Sequence, residues 1–151
     1  GGSGSASGQI LAGGDLTFVD TNVLGYGHDR SETRRQPLAQ TLLEGLWTSR
    51  TGSLSTQVLL EFHVVATRKL DPPMSRRATR EIVALYAAWP LVQVYLSLIL
   101  TASQLEERHK LSFWDALVVE AARRAGATRL VTEDLQGGRQ IGGVLIENPF
   151  L

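Results

Sequence analysis

The strongest constraint on this chain is an alternation, in which short, nearly unbroken apolar runs repeatedly give way to longer segments with apolar residues at helical spacing. Leu16-Thr17-Phe18-Val19 is the first run, closed by Asp20 and followed by Thr21-Asn22, residues that open a turn or cap a helix. Leu38, Leu42, Leu43, Leu46 and Trp47 predict an amphipathic helix from Thr33 to Ser49. A brief strand is expected at Ser53–Ser55, then a helix from Thr56 to Leu70 carried by Val58, Phe62, Val65 and Ala66 and stopped by Asp71-Pro72-Pro73. Ser75 caps a helix ending near Trp89, because Pro90 cannot continue it. Leu91–Leu96 reads as a third strand, with Ser97 capping a helix to His109. Trp114, Leu117, Val118, Ala121, Ala122 and Ala125 form the apolar face of a helix from Ser112 to Ala125. Thr128–Thr132 and Gly143–Glu147 complete about five strands. Strands with apolar cores, separated by helices, indicate an α/β fold with a central parallel sheet covered on both faces.

The opening GGSGSASG, Gly1 to Gly8, reads as a linker, which leaves one domain over residues 9–151. With 43% hydrophobic and 20% charged residues, the disordered and low-complexity classes are excluded. The longest apolar stretch, Ala84 to Ala102, is interrupted by Trp89-Pro90 and Gln93, so no membrane span is expected. The absence of cysteine removes disulfide frameworks and thiolate metal sites, and cytoplasm is the default expectation. Equal counts of 15 basic and 15 acidic residues give no field argument for nucleic acid. The basic residues are mostly arginines in pairs such as Arg34-Arg35 and Arg123-Arg124, whose forks match phosphate and carboxylate oxygens alike.

In open parallel sheets ligands bind beyond the carboxyl ends of the strands, so polar residues there are candidates for chemistry. Asp20 closes the first strand and Asp134 follows the fourth, while Glu61 and Asp115 stand in the first turns of two helices. If both helices begin at that sheet edge, four carboxylates converge. Two unit charges 4 Å apart repel by about 4 kcal/mol at an effective dielectric near 20, so such a cluster must take up protons or hold a cation. An all-oxygen set favours a hard ion, Mg²⁺ or Mn²⁺. Each acid also has an ordinary reading. Asp20 and Asp134 suit turns, Ser112-Phe113-Trp114-Asp115 is a capping-box pattern, and Glu61 suits an exposed helix position despite interrupting an apolar segment. His28, His63 and His109 read as surface or packing residues.

The residues around all four acids resemble one family. Phe18-Val19-Asp20-Thr21-Asn22-Val23-Leu24, Ser55-Thr56-Gln57-Val58-Leu59-Leu60-Glu61-Phe62, Leu111-Ser112-Phe113-Trp114-Asp115-Ala116-Leu117, and Val131-Thr132-Glu133-Asp134-Leu135-Gln136 with a terminal Asn148-Pro149-Phe150 are similar to the PIN-domain ribonucleases, in particular the VapC toxins of bacterial toxin-antitoxin pairs. The resemblance implies a three-layer α/β/α fold and an Mg²⁺- or Mn²⁺-dependent endoribonuclease in which the metal activates water. It implies that Asp20, Glu61, Asp115 and Asp134 are catalytic, with Asp20 and Asp115 as direct metal ligands and Asn22 and Thr132 as supporting polar residues. Gly137-Gly138 departs from the family's usual loop. RNA substrate, a cognate VapB-like antitoxin and a homodimer are the implied partners. Ile82, Leu85, Tyr86 and Trp89 are one candidate dimer surface, with core packing as the alternative, and Arg30, Arg34, Arg35 and Arg108 are candidate RNA-backbone contacts.

Two other classes compete: a catalytically silent PIN-like interaction module, and an Asp-dependent phosphotransfer enzyme. A phosphatase of the haloacid dehalogenase type requires a second aspartate where this chain has Asn22. A receiver requires its phosphoacceptor after the third strand, where the chain has Tyr95-Leu96-Ser97.

Overall fold

A computed structural model describes residues 15–151; the linker reading of Gly1 to Gly8 and the domain start at residue 9 lie outside the described residues. The elements in chain order are β1 Leu16–Val19, α1 Thr21–His28, α2 Arg35–Ser49, β2 Gly52–Ser55, α3 Thr56–Arg68, α4 Arg76–Tyr86, β3 Leu91–Val92, α5 Leu96–His109, α6 Phe113–Arg124, β4 Ala127–Val131, β5 Gln140–Ile141 and β6 Val144–Glu147. They form one sheet in the order β3-β2-β1-β4-β6-β5, parallel except where β5 pairs antiparallel with β6. Helix α1 packs on both α2 and α3, with α4 on α3, while α6 lies against β2, β4 and β6 and carries α5. The sheet is thus flanked by helices, as an α/β pattern with apolar strand cores requires.

The core is continuous from Phe18, Val19 and Leu130 in the central strands to Phe62, Leu98 and Ile146, all essentially inaccessible to water. Each such side chain contributes about 1.5–3 kcal/mol relative to exposure. At one edge Trp47, Tyr86 and Trp89 cluster, tilted or edge-on to one another, with ring centroids 4.9–5.3 Å apart. Gly52 lies under this group, where a Cβ would come within 2.5 Å of the Trp89 ring, so only glycine lets β2 approach it.

Several expectations are corrected. Tyr86 and Trp89 belong to this core and offer no dimer surface; of the four candidates Leu85 alone is exposed, at 55%. The third strand ends at Val92, and Tyr95, not Ser97, is the N-cap of α5; Ser97 is helical and its hydroxyl accepts a 2.9 Å bond from Arg124 Nη1. Helix α4 ends at Tyr86, three residues before Trp89. Trp114, expected on the buried face of α6, is 62% exposed, because this helix is covered on several sides from Ala116 to Ala122 and its first turn protrudes. Sequence spacing predicts neither helix α1 nor strand β5, and among the described residues the sheet has six strands.

Candidate active site

Register sets the position of the first acid. In the β1–β4 ladder Val19 is level with Val131, so Asp20 and Thr132 leave the sheet side by side. With β2 on the other side of β1, this is where the strand order changes direction, the place at which α/β sheets open a crevice. Asp20 is the N-cap of α1: its Oδ1 accepts from the Thr21 amide at 2.7 Å and its Oδ2 from the Thr132 hydroxyl at 2.8 Å. Thr132 Oγ1 also accepts from the Asp134 amide at 3.1 Å and from Asn22 Nδ2 at 3.4 Å, while Asn22 Oδ1 takes the Glu133 amide at 3.3 Å. Asn22 and Thr132 therefore bind together the end of β1 and the turn after β4.

Helix α3 starts directly at the end of β2, capped by the Ser55 hydroxyl on the Val58 amide. Glu61, in its second turn, is held by the Thr21 hydroxyl at 3.0 Å and the Gln57 amide nitrogen at 3.3 Å. Asp115 stands in the first turn of α6, where Ser112 Oγ accepts its backbone N–H at 3.1 Å, so half of the capping box is formed. Asp134 is exposed on the turn after β4.

Burial, with smaller contributions from the charges of Asp134 and Glu61, raises the Asp20 carboxyl to about 6 against the opposing bonds from Thr132 and Thr21. The Asp115 carboxyl is raised by burial and again by Asp134 and Glu61, with the Ser112 hydroxyl opposing. The four sequence-predicted acids thus share one negative field. Among the described residues none of them forms a salt bridge, and no three acid or histidine side chains close on a common point at ligand distance. Carboxylates and hydroxyls without a sulfur or imidazole donor are the chemistry of a hard dication. Asp20 keeps lone pairs beyond its two hydrogen bonds, so the donor set fits such an ion.

A cleft of about 590 Å³ runs from Glu61 and Asp134 along α1 and α3. Glu61, Asp134, Thr21 and Asn22 line it, together with Leu60, Val64, Val65 and Leu70. Two of the candidate RNA-binding arginines have other partners: Arg34 Nη1 donates to the Phe150 carbonyl at 2.7 Å, and Arg35 pairs with Glu133 at 2.6 Å. Arg30 and Arg108 are exposed. His28 is half-buried against Phe62, and burial lowers its pKa. Thr21 and Gln57, which hold Glu61, stand outside the acidic pattern. The i, i+4 spacing of Gln57 and Glu61 signals that contact, whereas Thr21 to Glu61 depends on tertiary structure. Gln57 is buried with its Oε1 unpartnered among the described protein groups.

No curated protein matches the chain in sequence. Among solved structures, a toxin-antitoxin complex from Klebsiella pneumoniae superposes with a TM-score of 0.65 at 18% identity, covering 89% of this chain and 98% of its counterpart. VapBC2 from Rickettsia felis, bound to a promoter DNA fragment, gives 0.59 at 18% identity over 88% and 98%. The sarcin-ricin loop cleaving toxin VapC20 of Mycobacterium tuberculosis gives 0.55 at 20% identity over 76% and 86%. These likenesses concern the fold. The sequence profile of the PIN domain matches residues 17–138, which take in the ends of β1 and β4, the first turns of α3 and α6, and all four acids. This chain belongs to the PIN domain family.

Proposed function

We propose that the chain is a divalent-metal-dependent endoribonuclease of the VapC toxin type, acting on RNA and neutralised by a cognate VapB-like antitoxin. The observation that carries this reading is the group of Asp20, Glu61, Asp115 and Asp134 in one field without a cationic partner among the described residues. A fold that served only as a scaffold would have no reason to retain this mutual repulsion, which a dication relieves.

Asp20 and Asp115 would hold Mg²⁺ or Mn²⁺ directly, with Glu61 and Asp134 completing the catalytic set. When bound, such an ion lowers the pKa of a water molecule and stabilises charge on the departing oxygen of a phosphodiester. The protein's own contribution is orientation. Thr132 and the Thr21 amide fix the two Asp20 oxygens, Thr21 Oγ1 and Gln57 fix Glu61, and Asn22 steadies the turn that bears Asp134.

Three of the similar structures are of toxins or toxin-antitoxin assemblies, which supports the biological setting. An antitoxin tail would lay apolar side chains on Leu60 and Val64, which are 70% and 44% exposed, and bring a basic group to Glu61 and Asp134 at the end of the cleft. A homodimer belongs to the same reading, with the exposed Tyr95 at the N-cap of α5 and Leu96 and Leu100 within it as apolar surface in search of cover. No helix among the described residues is long and apolar enough to cross a membrane, and the cytoplasm is the proposed compartment.

The test is incubation of the purified chain with total cellular RNA and Mg²⁺ or Mn²⁺, with and without EDTA, followed by mapping of new ends. Discrete ends that vanish with EDTA are expected. Intact RNA in both arms, or cleavage indifferent to EDTA, overturns the proposal.

A further inference from the structure

Glu133 adjoins Asp134, yet its carboxylate is engaged elsewhere. Its Oε1 accepts from the Tyr26 hydroxyl at 2.5 Å and its Oε2 from Arg35 Nε at 2.6 Å, and the Arg35 guanidinium lies 5.2 Å from the centre of the Tyr26 ring. The Tyr26 ring is itself backed edge-on by Phe150, 5.2 Å away, and the Phe150 carbonyl is held by Arg34. The terminal Asn148-Pro149-Phe150 segment, which the catalytic acids leave unexplained, thus buttresses a grip that spans α1, α2 and the turn after β4.

We propose that Tyr26 and Arg35 are positioning residues that act through Glu133 to present Asp134 to the metal-binding cluster. Asp134 sits on an exposed turn whose inward ties are the Asp134 amide on Thr132 Oγ1 and the Glu133 amide on Asn22 Oδ1. The side chain between these two amides is clamped from the other side by a charged fork and a phenol. Two opposed sets of bonds hold one dipeptide, and that fixes the direction in which the next carboxylate leaves it. The clamp also turns Glu133 away from the cluster, so that a fifth carboxylate does not compete for the ion. Although burial opposes it, the bonds from Tyr26 and Arg35 hold the Glu133 carboxyl below its ordinary range; Tyr26, by burial and by Glu133, is pushed up to about 12.

The proposal rests on the nuclease reading of Asp134, so its test has one arm independent of metal and RNA. Amide hydrogen exchange at Glu133 and Asp134 in the metal-free protein should accelerate roughly tenfold in Arg35→Ala and in the milder Glu133→Gln. Unchanged exchange at both amides overturns the clamp. In the second arm, Mn²⁺ affinity measured by calorimetry and the rate of RNA cleavage should each fall about tenfold in Arg35→Ala, the low end for loss of an outer partner of a metal-holding group. In an Asp134→Asn background the same substitution should alter Mn²⁺ affinity by less than about twofold, because the group it positions is gone. An equal loss in both backgrounds shows a general structural effect and overturns the positioning role. A wild-type protein that neither binds Mn²⁺ nor cleaves RNA overturns the nuclease reading instead, while the exchange arm still decides the clamp.

Discussion

Two carboxylates on α6, five residues apart, have opposite fates. Asp115 in the first turn is half-buried, faces the charges of Asp134 and Glu61, and has its carboxyl raised by burial and by those neighbours. Glu120 is fully buried, but Arg123 meets its Oε1 at 2.9 Å and Arg124 its Oε2 at 2.7 Å; these arginines hold its carboxyl below the ordinary range although burial pushes the other way. Arg124 extends the link to Ser97 and Thr101, joining α6 to α5. Burial alone therefore does not distinguish a functional acid from a structural one. The distinction lies in compensation: the fold supplies two guanidinium groups to Glu120, and among the described residues none to the acids that the proposed nuclease reading places in the site.

The comparison breaks most visibly if an uncompensated acid of the site, Asp20 as well as Asp115, behaves like the compensated Glu120. Asp20→Asn should reduce RNA cleavage by more than about 100-fold, beyond what loss of an outer partner of a metal-holding group causes, while circular dichroism shows an unchanged fold. Glu120→Ala should do the reverse. Removal of one partner of a buried ion pair costs about 3–5 kcal/mol, and the remaining arginines, 48% and 31% exposed, can reach water, so about 2–3 kcal/mol is expected here. That corresponds to a fall in Tm of roughly 4–10 °C for a domain of this size. Cleavage by the folded fraction at 25 °C should be unaffected; a loss of turnover comparable to that of Asp20→Asn would place Glu120 in the active site.

The same contrast has a pH signature in the metal-free protein. The Asp20 carboxyl stands near 6 when folded, against 3.8 ordinarily, so between these values the folded state retains a proton that the unfolded chain releases. Stability is then fullest below the lower value and declines as pH rises through the upper one, a total of about 3 kcal/mol. Asp20→Asn abolishes that titration and also gives up a charge-assisted bond. Metal-free Asp20→Asn should consequently be more stable than wild type by about 1–2 kcal/mol at pH 7.5, with the difference closing toward pH 4 in urea titrations. A variant less stable than wild type at pH 7.5 would mean that the Asp20 charge is compensated after all.

What could be read in advance follows the same division between local and tertiary causes. The strand-and-helix alternation and the acids at strand ends and helix starts are local patterns, and β1, β2, α3, α6 and β6 lie close to their expected positions. Helix α1 has no local signature, because Gly25 and Gly27 argue against a helix. A Cβ at Gly27 would come within 2.9 Å of Leu43 Cδ1, so glycine there permits the close approach of α1 and α2. Strand β5 is short, and its only sequence signal is the Gly142-Gly143 doublet, both residues at positive φ in the hairpin turn to β6. In the site, the four acids were legible as types at characteristic spacings. The bonds of Thr21 to Glu61 and of Arg35 to Glu133 span 40 and 98 residues, and no sequence window contains them.

A third pair sets the lower limit of the comparison. Arg129 Nη1 meets Glu147 Oε1 at 2.9 Å across the β4–β6 ladder, a distance equal to that of Arg123 to Glu120, but the two side chains are 41% and 38% exposed. Water screens both groups, and Arg129 retains two bonds to the Thr17 hydroxyl, at 2.8 and 3.1 Å, if the carboxylate is removed. Glu147→Gln should therefore change unfolding free energy by no more than about 0.5 kcal/mol, within the usual range for exposed pairs, and that small effect should shrink further in 1 M salt. Urea midpoints of Glu147→Gln and Glu120→Gln measured side by side contrast an exposed carboxylate held by one arginine with a buried one held by two, with residue type and charge change matched. A loss at Glu147 as large as that at Glu120 would show that contact distance, not desolvation, governs what these pairs contribute, and the distinction drawn between the two ends of α6 would fail with it.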